Sequence, residues 1–150
     1  MDQLVVLQEI YASFSKGTAS LREIDINAIE GCCSDLVAGL LEDSLNGRIE
    51  EEICRELSDK LTDVYELKRL GDICRRAGLP RLAADTYKKA ISICVDPVLS
   101  PILKNNLGQA YADQGNMNLA LSCYREAADI FTREGDRISL AHVLGNLGSA

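Results

Sequence analysis

Residues 70–90 read LGDICRRAGLPRLAADTYKKA, and residues 107–127 read LGQAYADQGNMNLALSCYREA. Leu70 and Gly71 correspond to Leu107 and Gly108. The same offsets then carry Ala83 and Ala120, Tyr87 and Tyr124, and Ala90 and Ala127. The two glycines are 37 residues apart, and a third Leu-Gly, Leu147-Gly148, follows 40 residues later. Self-similarity at this period predicts stacked copies of one supersecondary unit, each burying its apolar face against its neighbours.

Within each copy the apolar residues recur at helical spacing. Val64, Leu67, Leu70, Ile73 and Cys74 step by three and four, as one face of a helix requires. Gly78 ends that helix. Pro80 opens the next one, at a position whose N–H has no intrahelical partner anyway, and Leu82, Ala83, Tyr87, Ala90, Ile91 and Cys94 continue the pattern. The second hairpin is expected to open at Ser100-Pro101 with the serine as cap, run to Gln114, break at Gly115-Asn116 and resume as far as Glu134, before Gly135. Asp136 is placed to cap a last helix. Gly71, Gly108 and Gly148 fall inside helices, where Gly costs about 1 kcal/mol relative to Ala. The expected compensation is close helix pairing, with Ala83 and Ala90, or Ala120 and Ala127, as the small surfaces facing the glycine.

Residues 1–63 do not fit the repeat. Leu4, Leu7, Tyr11 and Phe14 mark one helix, Ile29, Cys32, Cys33, Leu36 and Leu40 a second, and Ile49, Ile53, Leu57 and Leu61 a third. This stretch holds 14 acidic and 5 basic residues, against 4 and 7 in residues 64–100 and 5 and 4 in residues 101–150. It is expected to be an acidic helical cap covering the open apolar face of the first repeat. A further reading lays it across the basic cluster Lys68, Arg69, Arg75 and Arg76 as an autoinhibitory arm. That cluster is otherwise a solvated helix face or a site for an acidic peptide.

Composition narrows the function classes. The formal net charge of -7 disfavours nucleic acid as the main partner, because neutralising phosphates requires a basic face. The densest apolar run, Leu36 to Leu41, is far shorter than the roughly 20 residues a membrane-spanning helix needs. Asp2 and Glu9 and the lack of a basic leader are unlike a secretory signal, so a soluble cytoplasmic protein is expected. Its six cysteines, Cys32, Cys33, Cys54, Cys74, Cys94 and Cys123, form no Cys-x-x-Cys pair and read as reduced packing residues. The single histidine, His142, has no implied nucleophile or acidic orienter, and no phosphate loop, zinc spacing or calcium loop is present. Neither an enzyme nor a cofactor is expected.

The Leu-Gly, Ala, Tyr, Ala spacing resembles the tetratricopeptide repeat. Residues 64–97 and 101–134 then make two repeats, and a partial third starts at residue 141. The usual Trp and late Pro are missing, with Lys104 at the Trp position and Val95 and Thr132 at the Pro position. The resemblance implies an all-α, right-handed superhelical array of antiparallel helix pairs, whose first helices line a concave groove that holds a peptide or protein partner. Carried onto this chain, the groove positions are Tyr65, Lys68, Arg69, Asp72 and Arg75, then Ile102, Asn105, Asn106, Gln109 and Asp113, then His142, Asn146 and Ser149. Asn106 and Asn146 each precede Leu-Gly, as in the repeats of kinesin light chain and of the spindle-orienting Leu-Gly-Asn proteins, where Asn side chains hold a peptide backbone. A carboxamide offers donor and acceptor together; the alternative is that each Asn bonds within the scaffold. The clamp for carboxylate tails used by chaperone-binding members is matched by Lys68 and Asn106 but not by Asp72, His142 or Asn146, which argues against such tails. Leu140, Val143, Leu144 and Leu147 form an apolar stripe on the last helix. Self-association through that helix, or continuation into a longer array, is therefore the rival to peptide binding.

Overall fold

The computed structural model describes residues 51–149 as six helices, with no strand among them. They are α1 (Glu51–Lys60), α2 (Val64–Arg76), α3 (Pro80–Ile93), α4 (Leu99–Asp113), α5 (Met117–Glu134) and α6 (Arg137–Ser149). Each of α2 to α5 packs on the helix that follows it, most extensively within the pairs α2–α3 and α4–α5, and α2 also touches α4. This is the contact order of a helical array. The first two helices expected in the acidic leading segment, with Cys32, Cys33 and the postulated autoinhibitory arm, lie outside the described residues. The third corresponds to α1, which lies on α2 and α3 and buries Cys54, Leu57 and Ser58, as Leu61 is just after its end.

The helix boundaries have local causes. Asp63 caps α2 by accepting hydrogen bonds from the backbone N–H groups of Tyr65 and Glu66 at 2.9 and 3.0 Å. At its other end Gly78 takes φ +78°, which lets Leu79 N–H reach the Cys74 carbonyl and Gly78 N–H the Arg75 carbonyl. Gly115 repeats the arrangement after α4, with Asn116 bonded to Tyr111 and Gly115 to Ala112. Both are left-handed turns that favour glycine and satisfy carbonyls left over at a helix end. The start of α4 differs from the expected Ser100 cap. Helix begins at Leu99, and Asp96 supplies the acceptor, for Val98 N–H at 2.9 Å. Pro101 still falls in the first turn, where no N–H is missed. Asp136 caps α6 through Ser139 N–H at 3.0 Å, as expected.

The core lies in two joined clusters. One gathers buried residues of α1 to α4, the other Ala120, Tyr124, Ala127, Phe131 and Val143, and Ile102 and Tyr111 pack against both. Gly71 and Gly108 are sites of close approach, but the group that fills the space is not alanine. A Cβ on Gly71 would fall 2.5 Å from the Tyr87 ring, and one on Gly108 would fall 2.6 Å from the Tyr124 ring. Ala83, Ala90, Ala120 and Ala127 are fully buried beside those rings. The small residues bring the helices together; the aromatic face then occupies the volume the glycine leaves.

Candidate functional site

Three first-of-pair helices, α2, α4 and α6, carry the predicted groove residues, and the structure brings them together only in part. Lys68, Ile102, Asn105, Asn106 and His142 line one groove of about 540 Å³. Phe131 of α5 and Ile138, Ser139 and Val143 of α6 complete its wall. Asn105 is 5% exposed, and its Oδ1 accepts a hydrogen bond from Asn146 Nδ2 at 2.9 Å, which ties α6 to α4. Asn106 Nδ2 donates to Asp72 Oδ1 at 3.3 Å and ties α4 to α2. The carboxamides therefore bond across neighbouring repeats rather than standing free.

Asp72 is the hub of the groove's polar contacts. It pairs with Lys68 Nζ at 2.9 Å, one helical turn away, and accepts from the Tyr87 hydroxyl as well as from Asn106. Burial, and then the charge of Asp72, raise the Tyr87 hydroxyl above the usual phenol range, so it stays a donor. A second cluster lies one turn along: Arg75 Nε meets Asp113 Oδ2 at 2.9 Å, and its Nη1 meets Gln109 Oε1 at 2.6 Å. A separation of 38 positions between Arg75 and Asp113 hides this pair from any local reading. Tyr65, at the start of α2, is exposed and donates its hydroxyl to Asp96 Oδ2 at 2.8 Å. That hydrogen bond raises the Tyr65 phenol and holds the Asp96 carboxyl below its ordinary range. Arg69 is exposed on α2 and has no ion-pair partner among the described residues. Ser149 bonds back to the Gly145 carbonyl at 3.0 Å.

Phe131, Ile138 and Ser139 escape the sequence reading, and Val143, read as part of an apolar stripe on the last helix, is buried in the core with Leu140 and Leu147 packed against the same cluster. The repeat template points to first-of-pair helices, whereas Phe131 belongs to the second helix of its pair, and Ile138 and Ser139 lie in the first turn of α6, ahead of the partial repeat expected from residue 141. One signal was present: Phe131 is the only Phe in the repeats, between Ala127 and Gly135.

The remaining chemistry is sparse. Cys54, Cys74, Cys94 and Cys123 are free thiols, the first two buried against each other. Their shared hydrogen bond and burial push the Cys74 thiol up, and burial pushes Cys123 up to about 11. Neither is a thiolate at neutral pH, so neither is primed as a nucleophile. Among the described residues no group of three His, Cys, Asp or Glu side chains is placed to hold a metal ion, and no helix is long and apolar enough to cross a membrane.

A family model for the tetratricopeptide repeat matches residues 99–150, the span of α4, α5 and α6. This part of the chain is tetratricopeptide repeat. No curated protein and no solved structure matches the chain. Outside the matched span, α2 and α3 make the same glycine-on-tyrosine contact as α4 and α5. Tetratricopeptide repeats are typically non-catalytic interaction modules, and the family points to protein partners.

Proposed function

We propose that the chain is a cytoplasmic interaction scaffold that holds a peptide segment of a partner protein in the groove between α2, α4 and α6. The observation that carries this reading is the convergence of Lys68, Asn105, Asn106 and His142, from three successive first-of-pair helices, on one groove. Residues 64–97 then act as the first repeat and α1 as part of its cap. Asn106 and Asn146 each use an amide N–H on the neighbouring helix and keep a carbonyl oxygen for a ligand's main-chain N–H. These bonds preorganise the carboxamides, which lowers the ordering cost of binding. The four cysteines among the described residues are free thiols, which suits a reducing compartment. An acidic ligand segment would have to compete with Asp72 for Lys68 and with Asp113 for Arg75.

The test compares partner capture by the wild-type chain and by an Asn106→Ala/Asn146→Ala double variant whose helical signal is intact. A protein lost only from the variant supports the groove; equal capture by both defeats it.

A second reading is favoured by one specific observation on α6. Leu144 is 51% exposed, and no described residue lies within 4 Å of a Cβ built on Gly145 or Gly148. Self-association through this face predicts a mass in light scattering that rises with concentration and falls back in a Leu144→Glu variant. A mass that stays monomeric throughout dismisses it.

A further inference from the structure

We infer that the groove selects its ligand by an apolar side chain rather than an acidic one, seating an extended peptide whose aliphatic or aromatic residue enters between Ile102, Phe131, Ile138 and Val143. The inference rests on the peptide-groove reading above and adds to it the chemistry of the occupant. Charge comes first. The lysine that lines the groove among the described residues is already paired: Lys68 and Asp72 are 2.9 Å apart, with side chains only 28% and 31% exposed. A ligand carboxylate that took Lys68 would stand beside Asp72, and like charges at that range disfavour the complex. Asp72 cannot turn away freely, because Tyr87 and Asn106 hold it from two other helices. The neighbouring Arg75 is engaged twice, by Asp113 and Gln109. Of the four basic residues in this stretch, Lys68 and Arg75 are thus paired inside the fold, while Arg69 and Arg76 are exposed and do not line the groove.

Apolar surface is what the groove leaves open. Phe131 and Val143 form a floor buried among their own neighbours, while Ile138 stands at the rim with 86% of its surface exposed. A volume of about 540 Å³ falls within the roughly 300–1,000 Å³ typical of ligand sites. The polar groups on the same wall suit a main chain. Asn105 has its carbonyl oxygen occupied by Asn146 and its amide N–H groups left over, whereas Asn106 has an N–H occupied by Asp72 and its carbonyl left over. A donor and an acceptor on consecutive residues match the C=O and N–H of a peptide unit whatever its side chain.

The experiment pans a random peptide display library against the full chain and measures enriched synthetic peptides by fluorescence anisotropy. Enriched sequences should share an aliphatic or aromatic residue. Replacing that residue by Ala, or Ile138 by Asp in the protein, should each weaken binding about tenfold or more, as loss of one buried apolar side chain implies. Affinity should change little between about 0.05 and 0.5 M salt, since no unscreened charge pair drives it. Ile138 is too exposed for its replacement to unfold the chain, and circular dichroism verifies this. An acidic consensus whose affinity falls with salt and with Lys68→Gln overturns the inference while leaving the groove reading in place. Peptides unmoved by both Ile138→Asp and Asn106→Ala bind elsewhere, and a library that yields no binder has found no groove ligand; either result sinks the groove reading and the inference with it.

Discussion

Gly108 and Gly148 hold the same place in successive copies of the repeat, each after a leucine inside a first-of-pair helix, yet their surroundings are opposite. Over Gly108 lies the Tyr124 ring, so close that a Cβ would sit 2.6 Å from it, with the Ala120 carbonyl at 3.2 Å. Over Gly148 no described residue comes within 4 Å. The same dipeptide is therefore a packing site in one copy and an open surface in the other. What differs is the covering: α5 lies on α4, whereas among the described residues nothing lies over the two glycines of α6, and Leu144 is half exposed. A sequence motif of this kind specifies half of an interface. Its energetic value depends on whether the other half arrives.

The sharpest way to break the comparison is to enlarge both glycines. Gly108→Leu should destabilise the chain by about 1–3 kcal/mol through overpacking against Tyr124, read as a lower denaturant midpoint with an unchanged slope. Gly148→Leu should stay within about 0.5 kcal/mol, as substitutions on open surface do. Equal losses at the two sites would mean that something covers α6 in solution, and light scattering would then identify self-association as the cause.

The tyrosine side of the interface has a smaller expected effect. Tyr87→Phe keeps the ring on Gly71 but removes the hydroxyl that Asp72 accepts, and should cost about 1 kcal/mol in chemical denaturation. A neutral result would show that Lys68 and Asn106 suffice to satisfy that carboxylate.

Next comes the other end of the array. Lys89 donates to the Ser58 and Asp59 carbonyls at 2.7 and 2.8 Å, a cation at the negative end of α1. Lys89→Met should lower stability by about 0.3–1 kcal/mol, with amide exchange accelerating in α1 before α4. Uniform acceleration across the helices would mean that α1 does not open separately.

The smallest effect concerns pH. The Ser139 hydroxyl and backbone N–H hold the Asp136 carboxyl below its ordinary range. A folded value lower than the unfolded one means that this carboxylate stabilises α6 above about pH 4 and that the contribution is lost as pH falls further. Asp136→Asn, which keeps a capping side chain, should flatten that part of the acid dependence in thermal unfolding between about pH 5 and 2. An unaltered profile would assign the acid sensitivity to other carboxyls.

Much of the fold is legible in the sequence because its signals are local. The turns at Gly78 and Gly115, the proline at the start of α3 and the cap at Asp136 each act within a few residues, and all appear where the sequence puts them. The exception, Asp96 in place of Ser100, is also local: two acceptors compete for one helix start, and the geometry of the chain after Cys94 favours the carboxylate. The candidate site is less legible. Sequence places Lys68, Asn105, Asn106 and His142 on the same side of successive helices, and they do line one groove. It cannot place Phe131 and Ile138 beside them, because that depends on how α5 and α6 cross α4.

The sequence by itself determined a repeated helical hairpin, its boundaries and the need for small residues where helices meet, since backbone capping and 3.6-residue periodicity are encoded over short spans. Tertiary structure alone decided that tyrosine rings fill the glycine spaces, that Lys68 and Arg75 are neutralised by Asp72 and Asp113, and that the groove's open surface is apolar. The rings, the Arg75–Asp113 pair and the groove wall join residues far apart in the chain. Even Lys68 and Asp72, one turn apart, are fixed by Tyr87 and Asn106 from other helices. Such contacts exist only once the helices have packed, because a charge or a ring finds its partner by distance in space.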